Sequence, residues 1–161
     1  MRLRLILLAC MLVAAAVALP ASGSNRRAVS FTLYSANVGN KDMPMLISAT
    51  GAIHAIGSAA SNDDVKGSTV PLVFTFPKGK IYATVRVTFN WVPDLATCTA
   101  TRHGTRPFTI TGGTGIYHGI TGRGHYLESG AAIGVHATNG DCEQRFKLNY
   151  VVARLSGTTN F

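Results

Sequence analysis

The stretch Lys80-Ile-Tyr-Ala-Thr-Val-Arg-Val-Thr-Phe-Asn-Trp91 alternates without a break. Ile81, Ala83, Val85, Val87, Phe89 and Trp91 fall on one side; Lys80, Tyr82, Thr84, Arg86, Thr88 and Asn90 fall on the other. A period of two held this long predicts a half-buried β-strand, because successive side chains of a strand point to opposite faces. Immediately upstream, Leu72, Phe74 and Phe76 alternate with Val73 and Thr75. Pro77-Lys78-Gly79 separates the two runs with turn chemistry, so the pair reads as a hairpin.

Working outward, the C-terminal region repeats the pattern. Cys142, Phe146, Leu148, Tyr150 and Val152 share a face, with Gln144 as the exception, and Glu143, Arg145, Lys147 and Asn149 oppose them. Weaker strand signals cover Val29–Ser35, Leu46–Gly57, Pro107–Thr111, Gly115–Gly119 and Arg123–Val135. Ser58–Ser68 and Asp94–Arg106 read as polar loops, and no stretch has a convincing amphipathic helical period. About eight short strands punctuated by turns predict an all-β barrel or sandwich, and closure into a barrel removes exposed sheet edges.

Ten of the 17 glycines lie between Gly104 and Gly140. A phosphate-binding reading fails on context: such a loop opens a helix, whereas here a β-like segment follows and no GK[ST] triplet occurs. Glycines within strands instead mark bulges, bends and close backbone approach. The run Gly112-Gly113-Thr114-Gly115-x-Tyr117-x-Gly119-x-Thr121-Gly122-x-Gly124 resembles the signature of the allene oxide cyclase barrel-like superfamily, which includes plant dirigent proteins and small exported bacterial proteins. Phe74-Thr-Phe-Pro-Lys-Gly79-Lys and Cys98 are similar to the bacterial branch, and the likeness spans roughly residues 70–155. The resemblance implies an eight-stranded antiparallel β-barrel with a largely apolar cavity. Plant members cyclise an unsaturated epoxide or steer the coupling of phenoxy radicals. The N-terminal motifs of those plant families have no match here, so their catalytic residues transfer to no position of this chain.

Residues 1–23 have the three parts of an export signal. Arg2 and Arg4 form a basic start, Leu5–Leu19 carries no charge, and Ala21-Ser22-Gly23 supplies small residues for cleavage after Gly23. An uncleaved anchor is the competing reading, but a spanning helix needs about 20 apolar residues. Cys10 lies mid-segment, out of place for lipidation. Removal leaves one domain of residues 24–161, secreted and not stably inserted in a membrane, and lowers the net charge from +8 to +6. Cys98 and Cys142 then remain, and an even count in an exported chain suggests a disulfide, the alternative being two buried thiols. Closure of that loop would contribute about 3–4 kcal/mol in the chain-entropy account.

Chemistry is sparse. No CxxC or HxxxH spacing accompanies the cysteines, so neither a metal nor another cofactor is expected. No G-x-S-x-G nucleophile motif occurs. Among His54, His103, His118, His125 and His136 no even-spaced pair with an acid stands out. Glu128 is the one acid on a strand of the glycine-rich region: facing a cavity it is a candidate acid or base, facing out it is a surface carboxylate. Arg86, Arg102, Arg106, Arg123, Arg145, Lys147 and Arg154 are dispersed among strand apolars, which argues against nucleic-acid binding. Ile81, Val85, Phe89, Trp91, Phe146, Leu148 and Tyr150 are the expected lining of the interior, with Arg86 or Glu128 orienting a polar end. A barrel this size either fills with side chains or holds one small ligand. The first expected function is therefore binding of a small apolar or aromatic molecule without covalent chemistry. A cyclase or isomerase acting through Glu128 is the second, and a structural or interaction protein with an exposed apolar patch is the third. The sequence leaves the oligomeric state open.

Overall fold

Among the described residues ten β-strands follow one another: β1 (Arg27–Val38), β2 (Lys41–Asp42), β3 (Met45–Gly51), β4 (Ala55–Ser61), β5 (Thr69–Phe76), β6 (Gly79–Arg86), β7 (Val92–Asp94), β8 (Thr99–Gly113), β9 (Thr121–His136) and β10 (Cys142–Asn160). The structure is a computed structural model and describes residues 25–38, 41–42, 44–61, 69–86 and 90–161. The expected export signal lies outside the described residues. Strands β1, β3, β4, β5, β6, β8, β9 and β10 pair antiparallel in that order, and β10 returns to β1 from Arg27↔Thr159 to Val38↔Leu148. The result is a closed eight-stranded antiparallel β-barrel with two short extra strands, β2 beside β1 and β7 beside β8.

The β5–β6 hairpin forms around Pro77-Lys78 as expected, with Phe76↔Gly79 closing the turn. The strand expected to reach Trp91 is β6 only to Arg86: Asn90 and Trp91 lie in no strand, and residues 87–89 lie outside the described residues. Leu72, Phe74 and Phe76 meet Ile81, Ala83 and Val85 on the inner face, and all six are buried. Phe31, Phe74, Phe108, Ile110, Ile120 and Leu155 fill the same half of the interior, with the Phe31 and Phe74 rings 5.2 Å apart. Interdigitation of large side chains at this density is the ordinary solution for an eight-stranded barrel.

Several sequence expectations change. Ser58–Ser61, read as the start of a polar loop, is the end of β4 and pairs with β5, while residues 62–68 lie outside the described residues. Leu46–Gly57 is two strands, not one, because Gly51 adopts φ +89° and the chain turns there. Asp94–Arg106 is mostly strand: β8 begins at Thr99 and pairs with β9 from Thr99↔Ile133 onward. Gly115–Gly119 is not a strand; it opens with a 3-10 turn at Gly115–Tyr117. That turn plugs one end of the barrel, burying Tyr117 and Ile120, with the Tyr117 ring edge-on to Phe76 at 5.8 Å.

The glycine run makes the plug possible. Gly115 sits at φ +61°, and a Cβ there would lie 2.1 Å from the Lys78 carbonyl oxygen. The Ile116 amide donates to that same oxygen at 3.2 Å, and the Thr114 amide donates to Lys80 O at 2.8 Å. Further along, Gly124 lies opposite Phe108, whose ring occupies the space a side chain would need, 2.6 Å from the added carbon. Gly113 and Gly122 are similarly crowded, Gly119 has φ +79° in open space, and Gly112 meets nothing within 4 Å. The motif thus closes this end of the barrel.

Candidate functional site

The opposite end, here called the mouth, carries the interior charge. Along β8 the inward positions are Ala100, Arg102, Gly104 and Arg106; along β9 they are Tyr126, Glu128, Gly130 and Ala132. Gly104 lies across from Glu128, and Gly130 across from Arg102, so these two charged side chains each have a glycine opposite and room to cross over, whereas Arg106 lies across from Tyr126. Arg102 Nε and Glu128 Oε1 meet there as an ion pair, although not in hydrogen-bond alignment. The Tyr126 hydroxyl donates to Glu128 Oε2 at 2.5 Å. Glu128 is 2% exposed, and a carboxylate that dry needs such partners to remain in the fold. The Arg102 guanidinium also lies over the Trp91 ring at 4.9 Å, a cation–π contact.

Beside this cluster a cleft of about 300 Å³ opens at the mouth. Trp91, Pro93, Leu95, Ala100 and Gly134 give it an apolar wall, Cys98 and Cys142 close one side, and Asp94 and Glu143 stand on its border. Asp94 Oδ1 accepts from the Ala96 amide at 3.0 Å and fixes the turn leading to Cys98. Cys98 and Cys142 are joined by a disulfide with Cα atoms 5.4 Å apart. His136 Nδ1 lies 3.2 Å from Cys98 Sγ. Among the described residues, Cys98, His136 and Cys142 are a group whose potential ligand atoms fall within 4.8 Å of one another. A second cleft, of about 290 Å³, lies at the plugged end between Ile53, Ile116, Tyr117 and Phe161. Burial there pushes the Tyr117 phenol above its ordinary pKa.

The residues expected to line the interior disperse. Ile81 and Val85 are buried in the packed core. Trp91 borders the mouth cleft. Phe89, and the side chain of Phe146, lie outside the described residues. Leu148 and Tyr150 are corrections: they are 37% and 50% exposed on the outer face. Register shifts in β10 between Cys142 and Phe146, and again between Phe146 and Leu148, reverse the alternation, so Asn149, Val151, Ala153 and Leu155 point inward instead. Arg86 is likewise exposed, because the inward positions of β6 are odd-numbered. Arg102, on β8, faces inward instead. Glu128 faces the interior, with both its oxygens already engaged, so proton exchange with a substrate would first have to displace Tyr126 or Arg102.

Sequence reasoning missed Arg102 and His136. Arg102 was legible only once β8 and β9 were paired, and His136 stands 38 residues from Cys98, far beyond the spacing of a local metal motif. Comparison with protein-family models, with curated proteins and with solved structures finds no match to this chain.

Proposed function

We propose that this chain is an exported binding barrel, a member of the allene oxide cyclase barrel-like superfamily, that takes one small apolar or aromatic molecule at its mouth. The observation that carries this reading is the cleft of about 300 Å³ walled by Trp91, Leu95 and Ala100 beside the Arg102–Glu128 pair. Ligand sites are typically apolar concavities of roughly 300–1,000 Å³ with a few placed polar groups, so the occupant is at the small end, one or two rings in size. Trp91 offers a ring face to the cleft, and the partly exposed Arg102 guanidinium, stacked on that ring, is the nearest cation to it, while the carboxylates Asp94 and Glu143 line its border.

Trp91 is the sole tryptophan of the chain, so its emission reports directly on the cleft. Titration with an anionic naphthyl dye, such as anilinonaphthalene sulfonate, is expected to shift that emission saturably at one dye per chain. Ala100→Leu, which fills the cleft, should abolish the response, whereas Ile116→Ala at the plugged end should leave it unchanged. Emission that stays constant across a panel of such aromatics, or an Ala100→Leu response equal to the parent's, overturns the reading.

One observation favours a second reading, assembly with other proteins. Tyr34, Leu46, Ile133, Leu148 and Tyr150 are all exposed on the outside of the barrel. The pairings Ile133↔Leu148, Tyr150↔Ala36 and Tyr34↔Leu46 place them on the adjacent strands β9, β10, β1 and β3. An exposed apolar surface running over several neighbouring strands is the mark of an interaction face.

A further inference from the structure

We propose that opening the Cys98–Cys142 disulfide converts the mouth into a zinc site, with the two cysteine thiolates and the His136 imidazole as ligands. The three potential ligand atoms already lie within 4.8 Å of one another, and His136 Nδ1 is 3.2 Å from Cys98 Sγ. Their arrangement is held by backbone that does not depend on the sulfur–sulfur bond. Cys142 lies directly across from His136 in the β9–β10 ladder. The Gly134 amide donates to Cys98 O at 2.6 Å and ties the Cys98 turn to β9. The turn between β9 and β10 is closed by the Ala137 amide donating to Asp141 O at 2.8 Å.

Two thiolates and one imidazole are the donor set that Zn2+ prefers, and the two thiolate charges neutralise the ion. Zn–S and Zn–N bonds of about 2.3 and 2.0 Å need the sulfurs to separate, which side-chain rotation permits without moving the strands. Cys98 is buried, Cys142 half-buried and His136 exposed, so the ion has a route in from solvent. Three protein ligands leave a fourth position for water, and both cysteines line the cleft that Glu143 borders. The Leu95 carbonyl, 3.3 Å from Cys142 Sγ, is the acceptor available to that thiol when no metal is bound.

Opening needs an external dithiol. One of its thiolates attacks a sulfur of the pair, the other sulfur leaves as a thiolate, and the second thiol resolves the mixed disulfide. Two electrons and two protons pass to Cys98 and Cys142, and the dithiol becomes a cyclic disulfide. Zn2+ then displaces the two thiol protons.

The test uses the full chain, reduced with a dithiol, freed of it without air, and titrated with Co2+ followed by Zn2+. The expected result is one Co2+ per chain, a near-ultraviolet thiolate-to-metal charge-transfer band, and loss of that band as Zn2+ displaces cobalt. His136→Ala should weaken Zn2+ binding by about a hundredfold, at or beyond the upper end of what loss of an outer-shell partner costs. Its oxidised form, with the disulfide intact, should melt like the parent. Four results overturn the proposal: no charge-transfer band, equal affinity in His136→Ala, equal uptake by the oxidised chain, or a reduced chain whose β-sheet circular dichroism is lost and not restored by Zn2+.

Discussion

Glu128 shows how one residue couples stability to chemistry. Its carboxylate is desolvated, and what keeps it tolerable is the Tyr126 hydroxyl on one oxygen and Arg102 on the other. Glu128→Gln preserves shape but removes the charge that both partners answer. The expected cost is about 2 kcal/mol, below the full figure for a severed buried pair because Arg102 retains some contact with water. Pairing it with Arg102→Met should recover part of that loss, since the double variant leaves no unpartnered charge, and urea midpoints of the four proteins measure the coupling. Tyr117 gives a residue-scale prediction in pH. Burial holds its folded pKa above the ordinary value of 10.0, so the folded state keeps the phenol protonated where the unfolded state loses the proton. Its contribution is intact below about pH 10 and is lost as pH rises through the folded pKa. Relative to Tyr117→Phe, the parent should therefore hold a constant stability difference up to about pH 10 and lose ground above it. A difference that stays flat well into the alkaline range contradicts this assignment.

At the scale of elements, the glycine run divides into positions that differ in cost. Gly115→Ala forces a side chain into φ +61° and against Lys78 O, and should destabilise by about 2 kcal/mol or more. Gly112→Ala meets nothing within 4 Å and should fall within about 0.5 kcal/mol of the parent. Thermal melts of the two variants compare them, and equal losses would mean that the plug is not held by this contact. The contrast bears on what the sequence could reveal. The β5–β6 hairpin was readable because its strands run without irregularity across a two-residue turn, so every inward residue is apolar in strict alternation. β10 was readable as a strand but not in its facing, because register shifts reverse the parity and no residue type announces them. The first half of β8 was hidden for a different reason. Its inward positions are Ala100, Arg102, Gly104 and Arg106, a set with no large apolar residue, and Arg102 is accommodated inward because β9 supplies Glu128 as its partner and Gly130 across from it. The disulfide could be anticipated from a count of two, while His136 joined it only through the β9–β10 ladder.

The closed barrel constrains how the whole molecule can associate. Because β10 pairs back onto β1, the eight strands of the barrel wall offer no long open edge for a further strand to extend. Any stable partner must therefore dock on side chains, and among the described residues the outer surface offers a broad apolar choice. Tyr34, Leu46, Ile133, Leu148 and Tyr150 stand on four neighbouring strands, near the mouth rather than the plugged end. A lasting interface needs about 800 Å² from each partner. Adjacent strands lie about 5 Å apart, so a patch four strands wide reaches this only with the small residues around it, Ala36 and Ala131 among them. Such a face favours self-association that rises with concentration over a permanently locked oligomer. Light scattering should show a mass that grows from one chain toward multiples as concentration increases. Tyr150→Lys places a charge at the centre of the patch and should return the mass to one chain. Because Tyr150 is half exposed and outside the core, the same change should alter folding stability by no more than about 0.5 kcal/mol, which separates lost assembly from lost fold. A mass of one chain at every concentration, for parent and variant alike, removes the assembly reading and leaves the mouth cleft as the functional surface.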